Sequence, residues 1–179
     1  MMVRDIFKKR RRKTLLAYTL RGLIAGATGT VALDIATYAD MAIRGRPSSS
    51  APSKMVSRIA STLHLPLSSA SGHADKQVAQ QRESGLGALL GYINGLGSGV
   101  GYGLLRSQID DLPLPLAAVA VGLTAMAASD VPLVILRVSN PKTWGMSGWM
   151  ADLIPHLIYG LVTTATYGAL SDSDVFDTW

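Results

Sequence analysis

Between Ser84 and Gly103 the chain reads SGLGALLGYINGLGSGVGYG, with glycine at every fourth position: Gly87, Gly91, Gly95, Gly99 and Gly103. In water such a segment is a poor helix, because each interior glycine costs roughly 1 kcal/mol relative to alanine. In a bilayer the balance reverses. A lone span there must satisfy its own backbone hydrogen bonds and is therefore helical. Bare glycine faces then let a second helix approach closely. The stretch predicts a packed transmembrane helix, a glycine zipper, without announcing any chemistry.

The row is not a straight line. At ~100° per residue each four-residue step advances about 400°, so five glycines drift by about 160° in total. One partner cannot cover them all, and a slanting strip suits a right-handed crossing near about −40°. An earlier apolar segment carries matching small-residue rows, Gly22/Gly26/Thr30 and Ala25/Gly29, and is the expected neighbour for part of the strip.

Only 16% of the 179 residues are charged, well below the ~25% usual for soluble proteins, and the mean hydropathy is +0.26. There is no cysteine, which excludes disulfides, thiolate metal sites and cysteine nucleophiles. The net charge of +5 is concentrated at the start, in Arg4, Lys8, Lys9, Arg10, Arg11, Arg12 and Lys13. A basic flank beside apolar spans points to an anionic membrane surface rather than to nucleic acid. Lys8 to Lys13 are therefore candidate lipid-headgroup contacts. Arg21 interrupts what would be the apolar core of a signal peptide, so the segment reads as an uncleaved anchor.

Taken in order, the chain predicts a basic tail over 1–13 and one transmembrane domain over 14–170. Helices are expected at about 14–43, 84–106, 112–137 and 148–170, with a polar loop at 44–83 and an acidic tail at 171–179. Within the loop, Met55, Val56, Ile59, Ala60 and Leu63 share one helical face. That pattern fits a short amphipathic helix lying on the membrane surface or packed on the protein itself. Residues 74–83 look like a helical lead-in. The short connection after Arg106 predicts that the second and third spans are antiparallel neighbours. Asp110 and Asp111 are candidate caps, and Pro132 is expected to kink or break the third span just after Asp130. Trp144 and Trp149 fall where an aromatic belt would sit. The expected fold is all-α, an integral membrane four-helix bundle. Four spans put both termini on one side, and the basic tail places that side in the cytoplasm.

Ionisable residues inside a span cost ~3 kcal/mol or more and demand an explanation. At ~1.5 Å per residue, Asp34 lies about 9 Å from the midplane, Asp130 and Asp152 about 10 Å, and His156 about 5 Å, all on the same side. Asp152 and His156 are also four residues apart, on one helix face. This intramembrane layer reads either as a hydrogen-bonded seam fixing helix register, or as a water-accessible proton-binding site. A haem or metal at His156 is the third possibility, and a lone histidine is a thin ligand set for it. No nucleotide-binding glycine motif is present. Gly145-Met146-Ser147-Gly148 matches the G-x-S-G of rhomboid proteases over four residues only, with no histidine on a later helix, and reads as coincidence.

Helix 1 running into GRPSSSAP, the glycine-rich second helix, ASDVP, and PKTWGMSGWMADLIPHLIYG together resemble small bacterial membrane proteins of actinobacterial type. They are loosely similar to the YagU-like inner-membrane family. The resemblance implies a bacterial plasma membrane and no particular reaction. The function expected is non-enzymatic: a structural, assembly or accessory subunit that packs through glycine faces into a homo-oligomer or larger membrane complex, without cofactor or metal. The alternative is a small proton-coupled transporter or channel using Asp34, Asp130, Asp152 and His156.

Overall fold

The computed structural model describes the backbone of residues 2–67, 73–109 and 112–173, and the side chains of 15–67, 76–109 and 112–173. Five α-helices occupy these segments: α1 (Met2–Arg44), α2 (Ala51–Thr62), α3 (His73–Arg106), α4 (Leu114–Ile135) and α5 (Gly145–Asp172). A 3₁₀ turn covers Pro141–Thr143, and no strand occurs among the described residues. α1 begins well before the expected boundary, so the basic segment continues the helix rather than preceding it. Lys and Arg are good helix formers, and no proline interrupts the run. Asp110, Asp111 and residues 174–179, most of the acidic tail, lie outside the described residues; α4 itself begins at Leu114 with Pro113 in the cap position, so neither Asp110 nor Asp111 is its cap residue.

Pro132 does not end α4 at Asp130; the helix runs on for a turn to Ile135. It then closes by a Schellman arrangement, in which Val138 N–H donates to the Leu133 carbonyl at 2.8 Å and Arg137 N–H to Val134 at 3.0 Å. Arg137 occupies the left-handed position of that motif, φ 56°, where glycine is the usual residue. α5 starts three residues earlier than expected, so Ser147 lies in its first turn. Its hydroxyl accepts from Arg44 at 3.0 Å.

Contacts between named residues set the helix directions. Arg44 meets Ser147 at one end of α1, and Thr28 Oγ1 donates to Thr166 Oγ1 at 3.1 Å further back, so α1 and α5 are antiparallel. Tyr18, Gly22 and Gly26 meet Gly103, Gly99 and Gly95 in that order, which makes α1 and α3 antiparallel too. Ala118 and Gly122 face Gly160 and His156, so α4 runs against α5. α1 packs most extensively on α3 and α5, and α4 on α5. α3 and α4 are neighbours across their short connection, as expected, but touch far less than either touches its main partner. An apolar groove of about 560 Å³ opens between them.

α2 turns its apolar face inward. Val56 and Ala60 are buried, α2 packs on α3, and Pro52 abuts Gly87. Of the two settings open to this amphipathic helix, its apolar stripe takes the protein's own surface.

By length and composition three helices can cross a membrane, Leu15–Arg44, Leu114–Ile135 and Gly145–Asp172, against four expected. α3 is long enough, but glycine adds length with almost no apolar surface, and the glycine-rich row falls short on hydropathy. Leu23, Ile24, Val31 and Ile35 on α1 and Leu116, Val119 and Leu123 on α4 are exposed apolar side chains, as a lipid-facing surface requires.

Candidate functional site

Close helix approach builds the site. A methyl group on Gly122 would lie 2.6 Å from the His156 carbonyl oxygen, and one on Gly160 would collide with the backbone of Ala118 and Gly122. With no side chain at these crossings, α4 and α5 come together at backbone distance. That brings Asp130, near the end of α4, to the first turns of α5.

Three ionisable groups meet there. His156 Nδ1 lies 3.2 Å from Asp152 Oδ1 and 2.8 Å from the Asp152 carbonyl oxygen, the geometry expected of residues one helical turn apart. The Asp130 carboxyl is within hydrogen-bonding reach of Asp152 and faces His156 as well. His156 is 9% exposed. Asp130 also lines an apolar cavity of about 320 Å³ with Leu123, Met126, Val134 and Trp149.

Asp152 Oδ2 is buried and receives no hydrogen bond from a donor among the described residues. A buried acceptor without a donor requires an explanation. Its neighbour is another carboxyl, and two carboxylates side by side repel unless a proton lies between them. One proton held between the two carboxyls would relieve that repulsion, and His156 Nδ1 lies against the other Asp152 oxygen and its carbonyl. The arrangement can therefore hold, accept and pass on protons. Among the described residues no group of three His, Cys, Asp or Glu side chains has metal-site geometry.

Asp34 stands elsewhere. Its carboxylate accepts from the Tyr92 hydroxyl at 3.3 Å across the α1–α3 interface. Of the four residues expected as one layer, Asp130, Asp152 and His156 meet between α4 and α5, while Asp34 pairs with Tyr92 between α1 and α3. Depth along the bundle axis is readable from spacing, but the direction in which each side chain leaves its helix is set by packing.

The helix-packing glycines divide in a similar way. Gly22 and Gly26 face Gly95 and Gly99, and Gly103 faces Tyr18 and Gly22; a methyl on Gly22 would lie 2.5 Å from the Gly99 carbonyl oxygen. Gly29 turns to Tyr159 and Thr163 of α5 instead. Gly87 meets Pro52 of α2, and Gly91 has open space before it. Lys8, Lys9, Arg10, Arg11, Arg12 and Lys13 have side chains outside the described residues.

Several positions went unread in the sequence. Gly122 and Gly160 were not singled out, although Ala118/Gly122 and Gly160/Thr164 each form a small-x-x-x-small pair. Tyr159 is 1% exposed, and its hydroxyl donates to the Gly95 carbonyl at 2.6 Å. Arg21, first noted only as a break in hydrophobicity, is buried at 6% exposure. It lies near Tyr167, which stacks edge-on against Tyr102 at 5.1 Å. Asn94 of α3 donates to the Ala125 carbonyl of α4 at 3.0 Å.

No protein family, curated protein or solved structure matches this chain in comparisons of sequence and fold.

Proposed function

We propose that the chain is a multi-pass protein of the bacterial plasma membrane in which Asp130, Asp152 and His156 form the proton-binding centre of a small proton-coupled transporter or channel. The single observation that carries this reading is the carboxyl–carboxyl–imidazole contact, with its buried, donorless Asp152 oxygen, between two helices apolar enough to span. Ionisable groups at such positions are costly, and a proton pathway is a standing reason to keep them. The bundle has four spans in this reading. α3 lies against Gly22 and Gly26, inside the apolar part of α1, and so shares its depth. Its glycines form a zipper with α1. Both termini face the cytoplasm beside the basic segment, and the resemblance to YagU-like proteins agrees with that setting. No enzymatic step and no cofactor enters the reading.

The test is proton flux. Purified protein in liposomes enclosing a pH-sensitive dye is expected to dissipate a pH gradient, and Asp130→Asn is expected to abolish the flux. Flux at the level of empty liposomes, or unchanged in the variant, overturns the proposal.

A role as a structural or accessory subunit is favoured by a different observation. Gly97 and Gly101 meet nothing within 4 Å and line the groove between α3 and α4. Most glycines of the long row, by contrast, are already occupied within the chain. A mass in mild detergent above that of one chain, reduced to one chain by Gly97→Leu with Gly101→Leu, favours this second reading; a monomer throughout excludes self-association.

A further inference from the structure

The loop side of the molecule carries a concavity that neither the glycine faces nor the proton site uses. α2 and the residues following α4 form an open concavity of about 450 Å³ lined by Lys54, Ser57, Arg58, Ser61 and Arg137, with Leu136 and Val138 completing the wall. Three cations from two separate elements converge on it, with two hydroxyls between them. Among the described residues no ion pair or hydrogen bond engages the cationic groups of Lys54, Arg58 or Arg137, whereas Arg44 and Arg46 both clasp Asp40. Three like charges gathered without a carboxylate repel one another unless an anion joins them.

Arg137 adds to the case. It holds the left-handed position closing α4, where a residue with a side chain is disfavoured and glycine is free of that cost. A long side chain stands there against the local preference, and Arg137 lines the same space as Lys54 and Arg58. Directly before it, the last turn of α4 exposes Val134 and Ile135, the latter at 73%. A charged pocket thus sits above an apolar helix end.

We infer that the Lys54–Arg58–Arg137 pocket binds a phosphate ester, as the headgroup of an anionic phospholipid or as a phosphate group from solution. Arginine forks and a lysine point charge suit phosphate oxygens, and the Ser57 hydroxyl supplies a neutral donor, whereas Ser61 already donates to the Arg58 carbonyl at 2.8 Å. This site is separate from the basic N-terminal segment and lies at the opposite end of α1.

Calorimetric titration of the full chain in uncharged detergent tests it, with dihexanoyl phosphatidylglycerol and inorganic phosphate as separate probes. Saturable binding of one phosphatidylglycerol is expected, weakened tenfold or more in Arg58→Gln and in Arg137→Gly. Arg137→Gly is also expected to keep or raise the melting temperature, because glycine suits the left-handed position, so a loss of binding there is not misfolding. Phosphatidylglycerol binding at least tenfold tighter than phosphate identifies the lipid as the source. Equal or tighter binding of phosphate identifies the soluble anion. The inference is overturned if neither probe saturates, or if both variants bind like the wild type.

Discussion

The Tyr159 hydroxyl donates to the Gly95 carbonyl oxygen at 2.6 Å, tying α5 to α3 through the side of α1 that carries Gly29 and Thr30. Gly95 has no side chain, which lets α1 lie close beside the same residue. A methyl group there would strike the Thr30 hydroxyl, and one on Gly29 would come within 2.9 Å of the Tyr159 ring. Three helices meet at one carbonyl, and each contributes a small or hydrogen-bonding residue to make room for the others.

Tyr159→Phe keeps the ring and removes the donor. The expected loss is about 1 kcal/mol, since buried hydrogen bonds contribute that order and bonds between membrane helices average somewhat less. Reversible unfolding in mixed micelles measures it. No change in stability would show that water replaces the hydroxyl.

The glycines of the long row should respond unequally. Gly99→Ala places a methyl against the Gly22 carbonyl and the Gly26 backbone, so α1 and α3 must separate. Gly91→Ala enters open space and gains helix propensity of up to about 1 kcal/mol. Thermal unfolding in detergent is expected to rank Gly91→Ala at or above wild type and Gly99→Ala well below it. The reverse order would contradict the α1–α3 register.

The carboxyl pair has a spectroscopic signature. A protonated carboxyl absorbs as a carbonyl and a carboxylate does not, so infrared spectra at neutral pH are expected to show a carboxyl band that shifts in deuterium oxide. Asp130→Asn should abolish it. Asp34→Asn should leave it, because Asp34 pairs with Tyr92 rather than with the cluster. A band that survives Asp130→Asn rules out a proton shared with Asp152.

α2 should be detachable. Val56 is 6% exposed on the face packed against the protein, and an aspartate at this position buries a charge without a partner, which is costly. Val56→Asp is expected to free the helix and let its backbone at the already exposed Lys54 and Arg58 unfold into trypsin. Limited proteolysis followed by mass spectrometry reads the cleavage rate at those two residues. Rates equal to wild type would mean that α2 is not held by its apolar face.

Local patterns carried much of this molecule into view. The amphipathic stripe Val56/Ile59/Ala60 marked α2, because a period of 3.6 residues is visible in a short window. Gly22/Gly26 and Gly95/Gly99 stood out as surfaces for close approach, because a missing side chain is explicit at each position. Asp130 and Asp152 stood out because charge is rare in apolar runs. The place of α3 among the spans was harder to judge. Its glycines lower its hydropathy, while the contacts that hold it beside α1 are long-range.

The sequence by itself determined the helical class, roughly where the long helices end, and which residues were small enough or polar enough to matter, since each depends on a residue and its near neighbours. Only the tertiary structure decided which of them meet. Gly29 could have faced α3 and instead faces α5. Asp34 shares an expected depth with Asp130 and pairs with Tyr92, while Gly122 and Gly160 deliver Asp130 to Asp152 and His156. The rotation of each helix about its own axis is set by packing against all its neighbours at once, and no single segment contains that information.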